Sequence, residues 1–258
     1  MALICKKWYE YAVSQELEND AYNIVEDEDL NDILARHKEW NEKYKYNHYN
    51  ILPYLYGSPK MQKDPPKLRF IAGISSDKPN SSGHSHDDPD VIHRPPPHTA
   101  CISTTAASTA LSKQLQTIMD ILQKKDQDCF NKRGYRRCWF VRTMDEVFME
   151  IKHNKDTLKA KTPRTYDFST MYTCLQQNRI IKNIKLAAEE AFKYVHEKIS
   201  NDARRSISLE SLWEIEKLMD HVEFVVKNTY LCTNNGSIRH QKIGTRWVLI
   251  VLLSLQIL

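Results

Sequence analysis

One acidic residue in this chain stands where divalent-metal chemistry belongs. In the run Tyr166-Asp167-Phe168-Ser169-Thr170-Met171-Tyr172-Thr173, Asp167 falls at the end of an expected β-strand, among aromatic and small residues. A carboxylate at a strand end is suited to hold a divalent ion against phosphate oxygens. An aromatic side chain five residues on, Tyr172, is suited to wall off the sugar of a nucleotide. Upstream lie groups suited to phosphate. Pro65-Pro66-Lys67-Leu68-Arg69-Phe70-Ile71 reads as a strand, and Lys67 and Arg69, two apart, share one of its faces. Tyr56-Gly57-Ser58-Pro59-Lys60-Met61-Gln62-Lys63 reads as a basic turn, and Leu111-Ser112-Lys113 opens a basic helical region.

The elements that must position these groups follow from periodicity. Residues 6–47 read as helical and polar, with an acidic knot at Glu26-Asp27-Glu28-Asp29, then Leu30, Ile33, Leu34 and His37 on one face. Ile51–Gly57 begins a strand-and-turn region that continues through a strand at Lys67–Ile74. Residues 75–98 differ in kind: Asp, His, Ser and five prolines with almost nothing apolar predict a disordered insertion. His84, His86, Asp87, Asp88, His93 and His98 are metal-ligating types, but nothing ordered is expected to fix them. Helical periodicity returns at Leu111–Leu122, followed by an expected basic loop from Lys124 to Arg137. Cys138-Trp139-Phe140-Val141 leads into a helix near Met144–Lys152, and the burial of Trp139 and Phe140 in a core accounts for them. Arg164–Phe168 reads as a strand. Ile180, Ile184, Ala188, Ala191, Val195 and Ile199 mark a long amphipathic helix. Ser208 is expected to cap another helix bearing Leu212, Ile215 and Leu218. A strand over Phe224–Cys232, the turn Thr233-Asn234-Asn235-Gly236 and a strand over Ser237–Gln241 form an expected hairpin. The fold class expected is α+β.

Composition narrows the function. Hydrophobic residues make up 41% and charged residues 27% of the 258, enough apolar material for a core, while only 6 glycines count against folds rich in Gly turns. The net charge of +4 is unevenly spread: residues 1–50 hold 6 Lys/Arg against 11 Asp/Glu, and residues 51–258 hold 31 against 22. The larger part is thus the one suited to a polyanion. Cysteines 5, 101, 129, 138, 174 and 232 form no CxxC pair and no signal peptide opens the chain, which points to an intracellular, reducing compartment. Val248–Leu258 is apolar but shorter than the ~20 residues of a bilayer span, so no membrane partner is expected.

Several of these runs, in this order, resemble the reverse transcriptases of Penelope-like retroelements, a group related to telomerase. Those proteins show a "YGLPKxHK" turn, a "PxRxI" strand, a "TxxLSK" helix start, a "WxVxxxxEV" segment and "FDFSxLYTNIP". The counterparts here are Tyr56–Lys63, Pro66–Ile71, Thr109–Lys113, Trp139–Val147 and Tyr166–Leu175. Ser58 replaces the usual Leu, and Cys174-Leu175-Gln176 replaces Asn-Ile-Pro. The resemblance implies the fingers and an incomplete palm of a right-hand polymerase: a helical N-terminal region over residues 1–50, a partial reverse transcriptase domain over 51–244 and the insertion within it. It further implies that Asp167 is catalytic, binding Mg²⁺, and that Tyr172 occupies the sugar-gate position. Phe168 would offer its backbone to the triphosphate, Arg69 and Lys67 would bind the nucleotide, and Lys60, Lys63 and Lys113 would contact template phosphates. The implied partners are an RNA template, a DNA primer and deoxynucleoside triphosphates.

Two-metal polymerases need a second carboxylate centre downstream of the first. Of the acids that follow Asp167, from Glu189 to Glu223, none forms an Asp-Asp pair. Beyond Gly244 these polymerases continue "GIPMGTNCSPxxANL", whereas this chain reads Thr245-Arg246-Trp247-Val248-Leu249 and onward. Codons exist that encode residues 245–258 in one frame and Pro-Met-Gly-Thr-Asn-Cys-Ser-Pro-Phe in the frame shifted by two bases. The expectation is a single-base frameshift after Gly244, an out-of-frame apolar tail over 245–258, and a chain that lacks polymerase activity. Two other classes compete: a non-catalytic nucleic-acid-binding module, and a helical protein tethered to a membrane by its tail.

Overall fold

A computed structural model describes residues 5–60, 67–73, 102–134, 144–153, 175–201, 212–233 and 236–244. Helices and one five-stranded sheet make up these residues, an α+β arrangement as the periodicity predicts. The insertion at 75–98, the Trp139–Phe140 pair, the expected strand at 164–168, Ser208 and residues 245–258 lie outside them.

The N-terminal stretch is two helices, α1 (Lys6–Leu17) and α2 (Leu30–Lys43), with a short strand β1 (Tyr22–Ile24) between them. That strand corrects the continuous helical reading of 6–47. Asn19 Oδ1 accepts from the Ala21 N–H at 2.8 Å, turning the chain out of α1, and Tyr22–Ile24 then pairs with distant residues 239–241. The acidic knot has a local purpose. Asp29 Oδ1 accepts from the Asp32 N–H at 2.8 Å and Asp32 Oδ2 accepts from the Asp29 N–H, a capping box that starts α2. At the other end, the Lys45 N–H donates to Glu42 O and the Tyr46 N–H to Asn41 O, closing a Schellman motif.

The sheet order is β1-β5-β4-β2-β3, with β2 Tyr54–Lys60, β3 Lys67–Gly73, β4 Tyr230–Cys232 and β5 Ile238–Gln241. All pairings are antiparallel except β2 with β4, which meet at Tyr54 and Cys232. Alternation along the strands divides two cores. Leu55, Phe70, Ala72 and Leu231 pack with Leu17 and Val13 of α1 on one face; Tyr54, Tyr230, Cys232 and Ile238 pack with Ile33 and Leu34 of α2 on the other.

Beyond α2 lies a helical layer of α3 (Thr105–Arg133), α5 (Gln177–Asn201) and α6 (Ile215–Lys227); α4 (Met144–His153) carries exposed Met144, Phe148 and Met149. Leu111, Leu115, Ile118, Ile184, Val195, Leu218 and Val222 fill the layer's core at helical spacing. Trp40 of α2 stacks flat on Phe224 of α6, with centroids 3.8 Å apart, and so joins the layer to the sheet side.

Three boundaries differ from the sequence reading. The run expected as a basic turn from Tyr56 is strand as far as Lys60, because it pairs with β3 through Lys67. The expected basic loop from Lys124 is helical as far as Arg133, because its charges find partners on α5. Lys125 Nζ lies 2.7 Å from Glu190 Oε1, and Asp128 Oδ2 accepts from Tyr194 at 2.7 Å and pairs with Lys198. Gly134, with φ 74°, then ends the helix. The expected strand at 224–232 is helical up to Lys227. Val225 and Val226 favour strands by type, but they are buried in register with Leu218 and Val222 against α3 and α5. The hairpin turn stands where Gly236 allows it, at φ 82°. Among the described residues no helix is long and apolar enough to cross a membrane.

Candidate nucleic-acid interface

The β2–β3 ladder turns separate cations into a surface. Its register sets Lys60 opposite Lys67, Ser58 opposite Arg69 and Tyr56 opposite Ile71. Directly opposed residues share a face, as do residues two apart on one strand, so Lys60, Lys67, Arg69, Ser58 and Tyr56 form one stripe. Lys67 and Arg69 are exposed, and Lys60 is half-buried. None of the three makes an ion pair with another described residue. Two lysines directly opposed in a ladder repel each other, a small penalty that a bound polyanion would remove.

The opposite face holds the stripe rigid. α1 crosses it, and the Tyr9 hydroxyl accepts from the Gly57 N–H at 3.0 Å. A side chain at Gly57 would bring its Cβ within 2.8 Å of Leu68 Cδ1 and 3.3 Å of Tyr9 Cε2, so glycine is what permits this close seating. Gly73 has the matching reason on the cation face, where a Cβ would meet the Tyr56 ring at 2.8 Å.

Of the remaining candidates, Lys113 lies elsewhere. It lines an open groove on α3 with Lys45, Tyr49 and Trp213, and none of the stripe's cations lines that groove. Lys63, Asp167, Phe168 and Tyr172 lie outside the described residues. The segment that follows the Asp167 run rejoins the described chain at Leu175 and Gln176. There Gln176 bridges Ile243, and Leu175 O accepts from the Gly244 N–H at 2.6 Å. That anchor ties Leu175 and Gln176 to the end of the hairpin.

No family model matches the chain, and no curated protein or solved structure matches it. Motif order and geometry therefore carry the functional reading. As to metal, no three His, Cys, Asp or Glu side chains converge among the described residues, so the described part supplies no ligand set for Mg²⁺.

Sequence reasoning missed a second feature, a buried histidine in an aromatic box. His221 is fully buried, with Trp40, Tyr44 and Trp213 ring centroids 4.7, 4.2 and 4.1 Å from its own. Its Nδ1 lies 2.7 Å from Lys217 O, which can only accept, so Nδ1 carries the proton and Nε2 accepts from the Tyr46 hydroxyl at 3.0 Å. Burial pushes its pKa down to about 4, against the opposing pull of the Lys217 carbonyl. His37 behaves alike: burial, then the Arg36 charge, lowers it to about 4, and its Nδ1 lies 2.8 Å from Ser103 Oγ. Asp220, beside the box, stays below the usual carboxylate range. Burial raises it, but hydrogen bonds from Tyr44 and Lys43 outweigh that. Both histidines are neutral packing elements. The sequence already sets His37 with Ile33 and Leu34 on one face; the signal that could have found His221 is its place on the apolar face of α6.

Proposed function

We propose that this chain is part of a reverse transcriptase domain of the Penelope-like kind, its fingers and an incomplete palm, and that the β2–β3 stripe meets nucleic-acid and triphosphate oxygens. The observation that carries this reading is the register of β2 and β3, which gathers Lys60, Lys67 and Arg69 on one face without a carboxylate partner among the described residues. The planar Arg69 guanidinium suits several phosphate oxygens at once, and the two lysines act as point charges. The motif order around the stripe supplies the reaction class, RNA-templated DNA synthesis. Mg²⁺, when held by Asp167, would supply charge neutralisation of the triphosphate. The chain's described residues would hold and orient the template backbone.

As the sequence stands, Asp167 has no Asp-Asp partner after it, so this chain is proposed to bind without polymerising. The test is a primer-extension assay of the 258-residue protein on an RNA template, with Mg²⁺ and with Mn²⁺, run beside a binding assay. Binding that survives Asp167→Ala, with no extension, supports the reading. Extension that Asp167→Ala abolishes contradicts the inactive part of it, and absence of binding contradicts the whole. The stripe also serves a second reading, a non-catalytic binding module. That reading expects equal affinity for a primer–template and for an unprimed strand, whereas the polymerase reading expects preference for the primed one.

A further inference from the structure

The groove on α3 has the makings of a separate ligand site, with a volume of about 560 Å³, in the range of small-molecule sites. Its floor is one face of the helix. Thr105, Thr109 and Lys113 follow one another at intervals of four, and the small side chains of Ala106 and Ala110 beside them keep the floor low. The walls come from far away in sequence: Lys45 and Tyr49 after α2, and Trp213 before α6.

Charge and shape both point to a ligand that is anionic at one end and flat at the other. Among the described residues no carboxylate lines the groove, and neither Lys45 nor Lys113 makes an ion pair with another of them. Outside the lining, Lys217 Nζ lies over the Trp213 ring, 4.8 Å from its centroid. The Trp213 backbone N–H donates to Gln114 Oε1 at 3.1 Å, which fixes the wall to the floor. Lys45 itself is unusual. It is the one non-glycine among the described residues with positive φ, 57°, at the position of a Schellman motif that Gly or Asn ordinarily fills. Nothing in the backbone of that turn calls for lysine, whereas a cation on the rim of this groove does.

We propose that this groove binds a nucleotide unit of a single-stranded nucleic acid, its phosphate held by Lys45 and Lys113 and its base against Tyr49. Aromatic rings accept any unstacked base, while a duplex keeps its bases in the stack, so the groove selects single strands. The inference rests on the nucleic-acid reading for the class of ligand and adds a second contact region to it.

The experiment uses the full chain, a labelled twelve-nucleotide oligothymidylate, the same length of duplex, and thymidine monophosphate as competitor. Lys45→Gln with Lys113→Gln is expected to weaken single-strand binding about tenfold and to lower the slope of log affinity against log salt by about 1.4, the share of two single-strand phosphate contacts. Duplex binding should change by less than about twofold. Photo-cross-linking of a 5-iodouracil strand should mark the peptide containing Tyr49. Unchanged single-strand affinity in the double variant, while neutralising Lys60, Lys67 and Arg69 weakens it, would overturn the groove and leave the stripe standing. Displacement of the strand by equimolar monophosphate would show a free-nucleotide site and overturn the single-strand proposal. If the wild-type protein binds no oligonucleotide, both readings fall together.

Discussion

The helical layer and the β2–β3 ladder use charge in opposite ways. In the layer, charged groups near the core are answered within the fold: Lys125 by Glu190, Asp128 by Lys198 and Tyr194, Asp220 by Lys43 and Tyr44. In the ladder, Lys60 faces Lys67 and Arg69 faces Ser58, so like charge stands beside like. A cation that the fold answers is explained by the fold. Cations set against each other on a rigid face are explained by something that comes from outside, because their own contribution to folding is unfavourable.

That contrast can be broken in order of expected effect. Leu115 is buried between α3, α5 and α6, and Leu115→Ala should lower the unfolding free energy by about 2–5 kcal/mol while leaving the affinity of the folded protein for nucleic acid unchanged. Urea titration reads the first and fluorescence anisotropy the second; a loss under about 1 kcal/mol would mean that the layer is not closely packed.

Acid should act next. His37 and His221 are held at about 4 in the folded state and return toward 6.5 on unfolding, so below 6.5 the unfolded chain binds more protons. Their contribution is complete above pH 6.5 and is lost as pH falls toward 4, on the order of a few kcal/mol for the pair. Of the groups facing them, Asp220 and Glu28 are held below the usual carboxylate range, and Lys43 and Arg36 above their ordinary values, so these keep their charges across most of that window. Unfolding at pH 7 and pH 4.5 reads the difference, and His37 and His221 resonances titrating near 6.5 in the folded protein would contradict it.

Asp29→Ala removes the α2 capping box and should cost about 1 kcal/mol without touching the stripe. Smallest of all, Lys67→Gln should leave stability unchanged or raise it by a few tenths of a kcal/mol, by relieving the opposition to Lys60. A clear loss of stability there would show that the fold itself depends on the cation, and the contrast between the two regions would fail.

Local pattern made much of the frame legible. The spacing of Ile180, Ile184, Ala188 and Val195 marked α5, alternation put Lys67 and Arg69 on one face, and Asn235-Gly236 marked the hairpin. What stayed hidden depends on partners remote in sequence. The helix beyond Lys124 persists through contacts with α5, and β1 is a strand because Gln241 and its neighbours lie alongside. Lys60 joined the stripe only through its register with Lys67, since as part of a presumed turn it had no face. The groove was out of reach because Lys45, Lys113 and Trp213 come from three separate segments. The aspartate run on which the polymerase resemblance turns, centred on Asp167, lies outside the described residues.

The most direct test of the stripe is the salt dependence of binding to an RNA–DNA primer–template, comparing wild type with Lys60→Gln, Lys67→Gln and Arg69→Gln combined. Three lost phosphate contacts should reduce the slope of log affinity against log salt by about 2–3, with urea stability unchanged. Equal slopes in the two proteins would contradict the account: the stripe would then be a solvated face and the polyanion would bind elsewhere.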